Sequence, residues 1–369
     1  MAVSDALKSL DKSADILYVG EATGMEARIV AATGMQFAAI KAGRFRRMHG
    51  ASTLAQLANP ATLGLNARDS MRIVQGVVAS VRLLRSWKPD VVFLKGGHVC
   101  LPVGLAARLL KIPYIIHESD LEPGLTNRIL ARWAAKIAVG FPVKGYHDFD
   151  PARIVFTGSP VRPELLKAHR LDGLARFKLN PSLPVLLVTG GSQGAAQIND
   201  AVLAALPQLL PHCQIIHQTG ELEFERVRFE LGRMGKVPHL DRYHPRGFIL
   251  KDMPGALAAA DVVVGRAGAQ TIAELAVLGK PAVLIPNYEM AGHQVQNARL
   301  LARAGAVRVL DGRRLTVEQL SGEVIHLLED EKEQDSLSRG IRQFGRPDAA
   351  VELAKLIYQL GGAGEAGNS

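Results

Sequence analysis

The stretch DVVVGRAGAQTIAELAVLGKPAVLIPN, residues 261–287, decides the fold class. A short β-branched run over Asp261–Val264 meets a glycine turn, and a helical pattern over Thr271–Leu278 leads into a second buried run, Pro281–Ile285. Two strands that are apolar along their whole length, with a helix between them, indicate a parallel sheet covered by helices on both faces.

The same alternation of buried runs and helical patterns continues outward along the chain. Strands are predicted at Pro184–Thr189 and Gln214–Gln218 in the second half and at Asp90–Leu94 and Pro113–His117 in the first. A polar, basic, proline-bounded stretch separates the two halves. The sequence therefore predicts an α/β protein with a first domain over 1–162, a linker over 163–183, a second domain over 184–345 and a tail over 361–369.

The composition limits the class of protein. The 369 residues are 48% hydrophobic and 21% charged, which argues against disorder and supplies enough core for two domains. Cys100 and Cys213 lie in apolar runs, which indicates a reducing compartment rather than a disulfide framework. A net charge of +9 favours an anionic partner such as a nucleotide or an anionic membrane surface. No nucleic-acid-binding motif occurs, and no apolar run reaches the length of a membrane span.

Glycine turns follow two strands of the second half. GGSQGA, residues 190–195, lies between a strand and a helix, where glycines allow close backbone approach and a helix N-terminus favours an anion. In the turn after Val264, Thr271 and Glu274 have the spacing of a capping box, so both turns have a purely structural interpretation. The alternative is a nucleotide site in which helix amides hold a diphosphate and Glu274 binds a ribose diol. Neither turn matches a Walker A loop or a dinucleotide fingerprint.

Seven segments, in this order, resemble the MurG family of bacterial N-acetylglucosaminyltransferases, which complete the lipid precursor of peptidoglycan. They are HESDLEPGLTNRILARWAAKIAVGFP (117–142), VFTGSPVRPELL (155–166), GGSQGA (190–195), HQTG (217–220), FILKDM (248–253), RAGAQTIAELAVLGKPAVLIP (266–286) and HQVQNARLL (293–301). The resemblance extends from Val19 to Leu310, which is most of the chain.

The resemblance implies the GT-B fold, in which two Rossmann-like domains with parallel sheets face each other across a cleft. A last helix over 346–360 is expected to pack back on the first domain. The implied activity is inverting transfer of GlcNAc from UDP-GlcNAc to the muramyl C4 hydroxyl of an undecaprenyl-diphosphate-linked muramyl peptide, which converts lipid I to lipid II. No cofactor or metal is implied, and the implied location is peripheral, on the cytoplasmic face of the inner membrane.

The resemblance also implies which residues bind the sugar donor. Ile249 is expected to pack on uracil and to bond it through its backbone, and Glu274 to bind the ribose. Arg162 is expected to reach a phosphate, unless it forms a salt bridge. The other implied donor contacts are Ser192, Gln193, Ala269, Gln270, Thr271, His293 and Gln294.

The acceptor side is expected in the first domain. LKGGHVCLPVG, residues 94–104, is another strand with a glycine turn, and Gly96, Gly97 and the following helix suit the diphosphate of the acceptor. His98 stands where the family more often has an aromatic residue, and Asp120 where it has asparagine. Each is a candidate catalytic base, but His98 could be a turn residue and Asp120 could cap the next helix. Asn127 matches the family and is expected to orient this loop.

The family's first strand and its Gly-Gly-x-Gly-Gly-His loop have no counterpart before MAVSDALKSL, residues 1–10, which resembles the end of the family's first helix. We therefore expect either a start codon assigned too far downstream or a shortened chain.

A basic and apolar cluster in the first half predicts contact with an anionic membrane surface. An apolar stripe over Ile73–Trp87 is edged by basic side chains, although a core-facing helix with a solvated basic face explains much of this pattern. The cluster contains Lys41, Arg44, Phe45, Arg46, Arg47, Arg72, Ile73, Val77, Val81, Arg82, Leu84, Arg85 and Trp87. HDFD, residues 147–150, resembles a metal-binding Asp-x-Asp, but it lies far from the donor motifs, and no metal is expected.

Two other functions remain open at this point. One is a UDP-sugar epimerase or hydrolase of the same fold, which would consume UDP-GlcNAc without a lipid acceptor. The other is a nucleotide-binding subunit that needs a second polypeptide for turnover.

Overall fold

The computed structural model describes residues 1–23, 27, 30–31, 33–43, 60–191, 194–288 and 292–362, with only the backbone described over 60–70. The chain forms two compact units. One comprises residues 1–157 together with 348–369, and the other comprises residues 158–347. The expectation of a two-domain α/β protein with parallel sheets is confirmed.

The first unit contains a two-stranded and a four-stranded parallel sheet within the described residues. Strands β1 and β2 pair with each other, and the larger sheet has the order β3-β4-β5-β6. The elements are α1 (Ala2–Leu10), β1 (Leu17–Gly20), β2 (Gln36–Ala39), α2 (Pro60–Trp87), β3 (Val92–Leu94), α3 (Cys100–Leu109), β4 (Tyr114–Glu118), α4 (Leu125–Leu130), β5 (Lys136–Val139) and β6 (Ile154–Phe156).

In its described part, the second unit contains one six-stranded parallel sheet with helices between its strands. Its elements are α5 (Pro163–Leu166), α6 (Arg170–Phe177), β7 (Val185–Thr189), α7 (Ala196–Leu209), β8 (Gln214–Gln218), α8 (Glu221–Arg233), β9 (Tyr243–Arg246), α9 (Met253–Ala259), β10 (Val262–Gly265), α10 (Ala269–Leu278), β11 (Ala282–Leu284), α11 (His293–Arg303), β12 (Arg308–Val309), α12 (Val317–Glu329) and α13 (Glu331–Arg342).

The strand order of this sheet is β12-β11-β10-β7-β8-β9, which is the doubly wound Rossmann order. The first three strands run outward from β7 in one direction, and the chain then returns to β10 on the other side of β7. The order therefore reverses between β7 and β10. Open α/β sheets bind their ligands at the carboxyl ends of the strands that flank such a reversal.

The last helix, α14 (Ala349–Leu360), belongs to the first unit. It packs with α1 against the larger sheet, where Leu353 and Ile357 join Ile115 in a buried cluster that Val3 and Leu7 border. The apolar face of α1 is therefore partly covered by an element from the other end of the chain.

Residues 163–183, which the sequence suggests as a linker, fold into the second unit as α5 and α6. Helix α6 packs on α9, and Arg170 forms a two-pronged ion pair with Asp261, with N–O distances of 2.7 and 3.0 Å. Asp261 also accepts a hydrogen bond from the backbone N–H of Val185. Arg170, one of the basic residues of this stretch, therefore joins α6 to the residue that precedes β10.

Candidate functional site

The candidate site of the second unit lies at the carboxyl ends of β7 and β10, where the strand order reverses. The two glycine turns of the sequence follow these two strands. Ser192 and Gln193 lie outside the described residues, so their donor contacts stay predictions.

The turn after β7 needs its glycines for two physical reasons. Gly191 and Gly194 have φ of +84° and +80°, in the left-handed region that other residues rarely adopt. At Gly190 a Cβ atom would come within 2.6 Å of the Ala195 backbone nitrogen. The backbone at Gly190 therefore lies close to the start of α7.

The capping box predicted at Thr271 and Glu274 is wrong, because α10 begins at Ala269 and its N-cap is Gly268. A glycine N-cap has no side chain with which to accept a hydrogen bond from the first amides of the helix. The first turn therefore has N–H groups without a side-chain cap, at Ala269, Gln270 and Thr271. The family resemblance implies that these three residues hold the diphosphate of the donor, and this role stays a prediction.

Glu274 lies one turn further along α10, with only 14% of its side chain exposed. Burial raises its pKa, while the Arg162 guanidinium and the Gln270 amide act in the opposite direction. The Arg162 nitrogen lies 3.7 Å from a Glu274 carboxylate oxygen, and Arg162 also donates a 2.7 Å hydrogen bond to the Leu250 carbonyl. Arg162 thus forms the salt bridge that the sequence left open, and its phosphate contact stays a prediction.

Ile249 is 6% exposed, and its backbone N–H donates a 2.9 Å hydrogen bond to the side-chain oxygen of Gln218. Gln218, at the end of β8, is a residue that the sequence analysis did not single out. His293 and Gln294 begin α11, and Gln294 accepts a 2.9 Å hydrogen bond from the Asn287 backbone N–H. The contacts of Ile249, His293 and Gln294 with a sugar nucleotide stay predictions.

The glycine turn of the first unit lies between β3 and α3. Gly96 and Gly97 have φ of +90° and +87°. The Nε2 atom of His98 lies 2.7 Å from a carboxylate oxygen of Glu21, and both side chains are partly exposed. The contact with Glu21 holds the imidazole of His98 in one orientation, and the role of His98 as a base stays a prediction.

The next strand, β4, ends in a buried carboxylate that the sequence analysis did not assign. Glu118 is 6% exposed and accepts hydrogen bonds from the Asp120 N–H at 3.1 Å, the Gly124 N–H at 2.9 Å and the Asn127 side-chain amide at 2.9 Å. Burial raises the pKa of Glu118, and these three bonds partly offset that effect. Glu118 therefore shapes the loop that carries Asp120.

Asn127 is 3% exposed and donates a second hydrogen bond, at 3.1 Å, to the His117 carbonyl. Its amide nitrogen approaches Gly96, where a Cβ atom would come within 3.2 Å of it. Asn127 thus bonds α4 to the end of β4, and its role in orienting this loop for a substrate stays a prediction. The N-cap of α4 is Gly124, so the alternative in which Asp120 caps this helix is wrong.

Each carboxylate of the Asp-x-Asp pattern forms an ion pair with an arginine. Asp148 lies 3.2 Å from Arg128, and Asp150 lies 2.9 Å from Arg153 and accepts the Ala152 N–H. Guanidinium neutralisation disfavours a cation at either carboxylate.

A second group of metal-type side chains, His326, Asp330 and Glu333, has its ligand atoms within 4.8 Å of one another. Arg308 and His326 both pair with Glu333, and Asp330 accepts the Glu333 N–H. This group is therefore accounted for as a surface ion-pair network.

Comparison with known proteins gives consistent results for both units. Residues 1–139 match the glycosyltransferase family 28 N-terminal domain, and residues 185–353 match the glycosyltransferase family 28 C-terminal domain. A UDP-N-acetylglucosamine--N-acetylmuramyl-(pentapeptide) pyrophosphoryl-undecaprenol N-acetylglucosamine transferase of Listeria monocytogenes is 37% identical over 363 residues, which cover 98% of this chain and 95% of the relative.

Solved structures agree with this result. The crystal structure of Acinetobacter baumannii MurG has a TM-score of 0.70 and 25% identity, covering 97% of this chain and 94% of that one. A UDP-GlcNAc 2-epimerase from Neisseria meningitidis, bound to UDP-GlcNAc, has a TM-score of 0.67 over 97% of this chain and 96% of that one. At 13% identity, the second likeness shows a shared fold alone. The chain belongs to glycosyltransferase family 28 and, within it, to the MurG group.

Proposed function

We propose that this chain transfers GlcNAc from UDP-GlcNAc to the muramyl C4 hydroxyl of an undecaprenyl-diphosphate-linked muramyl peptide, with inversion at the anomeric carbon. The observation that carries the proposal is the start of α10, where helix amides without a side-chain cap lie one turn before the largely buried carboxylate of Glu274. This pairing of anion donors and a diol acceptor suits a nucleoside diphosphate. The relatives at 37% identity carry the same activity in their names.

The donor is held by the second unit. The amides of Ala269, Gln270 and Thr271 bind the diphosphate, and Glu274 accepts hydrogen bonds from the ribose hydroxyls. The Arg162–Glu274 pair is long, at 3.7 Å, and Arg162 is 36% exposed, so the pair contributes little stability. Ribose can therefore replace Arg162 at Glu274, and Arg162 then turns to a phosphate oxygen.

The reaction moves one bond and one proton. The acceptor hydroxyl oxygen attacks the anomeric carbon from the face opposite to the phosphate, the bond to the phosphate oxygen breaks, and UDP leaves with the bonding electron pair. The α10 amides and Arg162 stabilise the negative charge that develops on the leaving diphosphate. A base on the first unit takes the hydroxyl proton.

Asp120 and His98 are the two candidate bases. The loop of Asp120 is shaped by Glu118, which accepts the Asp120 N–H. His98 is oriented by Glu21, and a neutral ring that donates from Nε2 to Glu21 carries its basic lone pair on Nδ1. Replacing each residue in turn and comparing the pH dependence of kcat separates the two assignments, since loss of the base removes the ascending limb of the profile.

We further propose that the first unit binds an anionic membrane surface on the cytoplasmic face, where the acceptor lipid is anchored. Ile73 and Leu84 of the predicted stripe are buried, so that part of α2 packs in the core. A different apolar set on α2 faces solvent, comprising Met71 at 64%, Val74 at 63% and Val78 at 46% exposure.

Basic residues Arg72, Arg82 and Arg85 are exposed along the same helix. Residues 44–47 of the predicted basic cluster lie outside the described residues. Among the helices that the structure describes, none combines the length and the apolarity that crossing a bilayer requires. Apolar side chains bordered by arginines suit an interfacial site on anionic lipid.

Vesicle flotation tests the membrane proposal. Binding to vesicles that contain anionic lipid, with loss of binding at high salt and in the Val74→Glu variant, is expected. Equal binding to purely zwitterionic vesicles would contradict the electrostatic part of the proposal.

The function is tested by following UDP release from UDP-GlcNAc with and without a lipid I analogue. The proposal predicts release that depends on the acceptor. Release without acceptor would favour the hydrolase alternative, and conversion of UDP-GlcNAc to another UDP-sugar would favour the epimerase. UDP binding without turnover would favour the nucleotide-binding subunit.

A further inference from the structure

Gln218 is a buried polar side chain that the transfer mechanism does not yet use. It is the last residue of β8 and is 2% exposed, so the oxygen and the nitrogen of its side-chain amide need hydrogen-bond partners inside the protein. Both partners belong to segments of the candidate donor site. One is the backbone of Ile249, and the other is the side chain of Thr189 at the end of β7.

The orientation of the Gln218 amide follows from the chemistry of these partners. The Ile249 backbone N–H can only donate, so the atom that it meets at 2.9 Å is the Gln218 carbonyl oxygen. The amide nitrogen then points to the Thr189 hydroxyl oxygen at 3.2 Å. That oxygen also accepts the Gly191 N–H at 3.3 Å. Thr189 and Gln218 are directly paired in the β7–β8 register, which holds the two side chains together.

The result is a continuous hydrogen-bonded connection between the glycine turn after β7 and the segment after β9. On one side it fixes Gly191, at the start of the turn, and on the other it fixes the peptide plane of Ile249. These two segments are 58 positions apart in sequence and share no strand, so the Gln218 side chain supplies a contact that the sheet does not.

We propose that Gln218 is a positioning residue for the nucleotide, which holds the Ile249 segment and the Gly190–Gly191 turn at the spacing that UDP requires. This inference rests on the proposed function, since it assigns Gln218 to the UDP-sugar site. Gln218 does not touch the reacting atoms, so its loss should weaken donor binding rather than slow the chemical step. Acceptor binding should be unaffected.

A matched control lies on the same strand. Gln214, also 2% exposed, begins β8 at the opposite edge of the sheet, where it donates to the Asn180 and Leu183 carbonyls and accepts the Asn180 N–H. Gln214→Met removes three side-chain hydrogen bonds, and Gln218→Met removes two, from glutamines of equal burial. Only the second substitution is at the carboxyl edge, where ligands bind.

The experiment measures the Kd of UDP by calorimetry and the KM values of both substrates for Gln218→Met, Gln214→Met, Thr189→Val and Thr189→Ser. Gln218→Met and Thr189→Val should each raise the Kd of UDP and the KM of UDP-GlcNAc about tenfold, which corresponds to about 1.4 kcal/mol. The kcat and the KM of the lipid acceptor should change less than about twofold. Thr189→Ser keeps the hydroxyl and should bind UDP as the wild type does.

Several results would overturn the proposal. One such result is that Gln218→Met binds UDP as tightly as the wild type. Another is that Gln214→Met loses as much UDP affinity as Gln218→Met, since that would indicate a general effect on stability. If Gln218→Met does not fold, Thr189→Val carries the same test. A wild-type chain that binds UDP but transfers nothing would refute the proposed function, whereas the calorimetric comparison would still decide the role of Gln218.

Discussion

Glu274 provides the most direct test of how the donor is held. If the carboxylate binds the ribose diol, Glu274→Ala removes two hydrogen bonds to an ionised acceptor. Bonds to charged groups contribute about 1.5 kcal/mol each at the lower end of their range, or about 3 kcal/mol together. Since about 1.4 kcal/mol is tenfold in affinity, the Kd of UDP should rise about 100-fold.

The Arg162–Glu274 pair does not change this magnitude much. At 3.7 Å, with a partly exposed guanidinium, it contributes less than about 1 kcal/mol. The free protein therefore gives up little when ribose replaces the arginine. Because burial raises the pKa of Glu274, donor affinity should also fall as the pH is lowered toward that pKa, where the carboxylate takes up a proton.

The assay is calorimetric titration with UDP and with 2′,3′-dideoxy-UDP. Wild-type protein should bind UDP about 100-fold more tightly than the dideoxy analogue, and Glu274→Ala should bind both alike. Glu225→Ala is a suitable control, because that side chain is 79% exposed on α8 and should leave both affinities unchanged. A Glu274→Ala protein that still prefers UDP to the dideoxy analogue would refute the ribose assignment.

Three further predictions concern the scaffold. Burial lowers the pKa of His217 to about 3, so between that pH and about 6.5 the unfolded chain binds a proton that the folded chain does not. The free energy of unfolding, measured with urea, should therefore fall by about 2 kcal/mol more between pH 7 and pH 5 in the wild type than in His217→Gln. Equal decreases in the two proteins would contradict this. Glu118→Gln places an amide N–H group against one of the three groups that donate hydrogen bonds to the Glu118 carboxylate. The substitution should raise the KM of the lipid acceptor and leave the Kd of UDP constant, and a change in UDP affinity would contradict a role confined to this loop. Gly194→Ala forces a Cβ atom onto the Thr219 carbonyl at φ +80° and should lower both the thermal midpoint and UDP affinity, whereas Gly322→Ala, with open space around it, should lower neither.

The sequence predicted most of the second unit because its strands are apolar throughout and its turns are marked by glycine. It missed elements whose residues carry weak local signals. Strand β9 contains Pro245, which cannot donate to a ladder and is tolerated because β9 lies at the edge of the sheet. Strand β2 is only half-buried and lacks β-branched residues. Helix α13 is largely polar and buries only Leu337, Gly340 and Ile341.

The candidate site was predicted unevenly for a related reason. Residues in glycine turns or at predicted helix starts, such as Gly96 and Glu274, carry local signals. Gln218 and Glu118 bond to partners that only the fold brings close to them. The sequence marks each of them only as a polar residue at the end of a buried strand. The capping box at Thr271 failed because the helix begins two residues earlier than its apolar pattern indicates.

The product that this protein makes from UDP-GlcNAc and a short-chain lipid I analogue can be isolated, and its mass and glycosidic linkage determined by mass spectrometry and NMR. The proposed transfer adds one N-acetylhexosamine, joined to the muramyl C4 oxygen with the anomeric configuration inverted relative to the donor. A product with retained configuration, or UDP-ManNAc or free GlcNAc with an unchanged lipid, would contradict it.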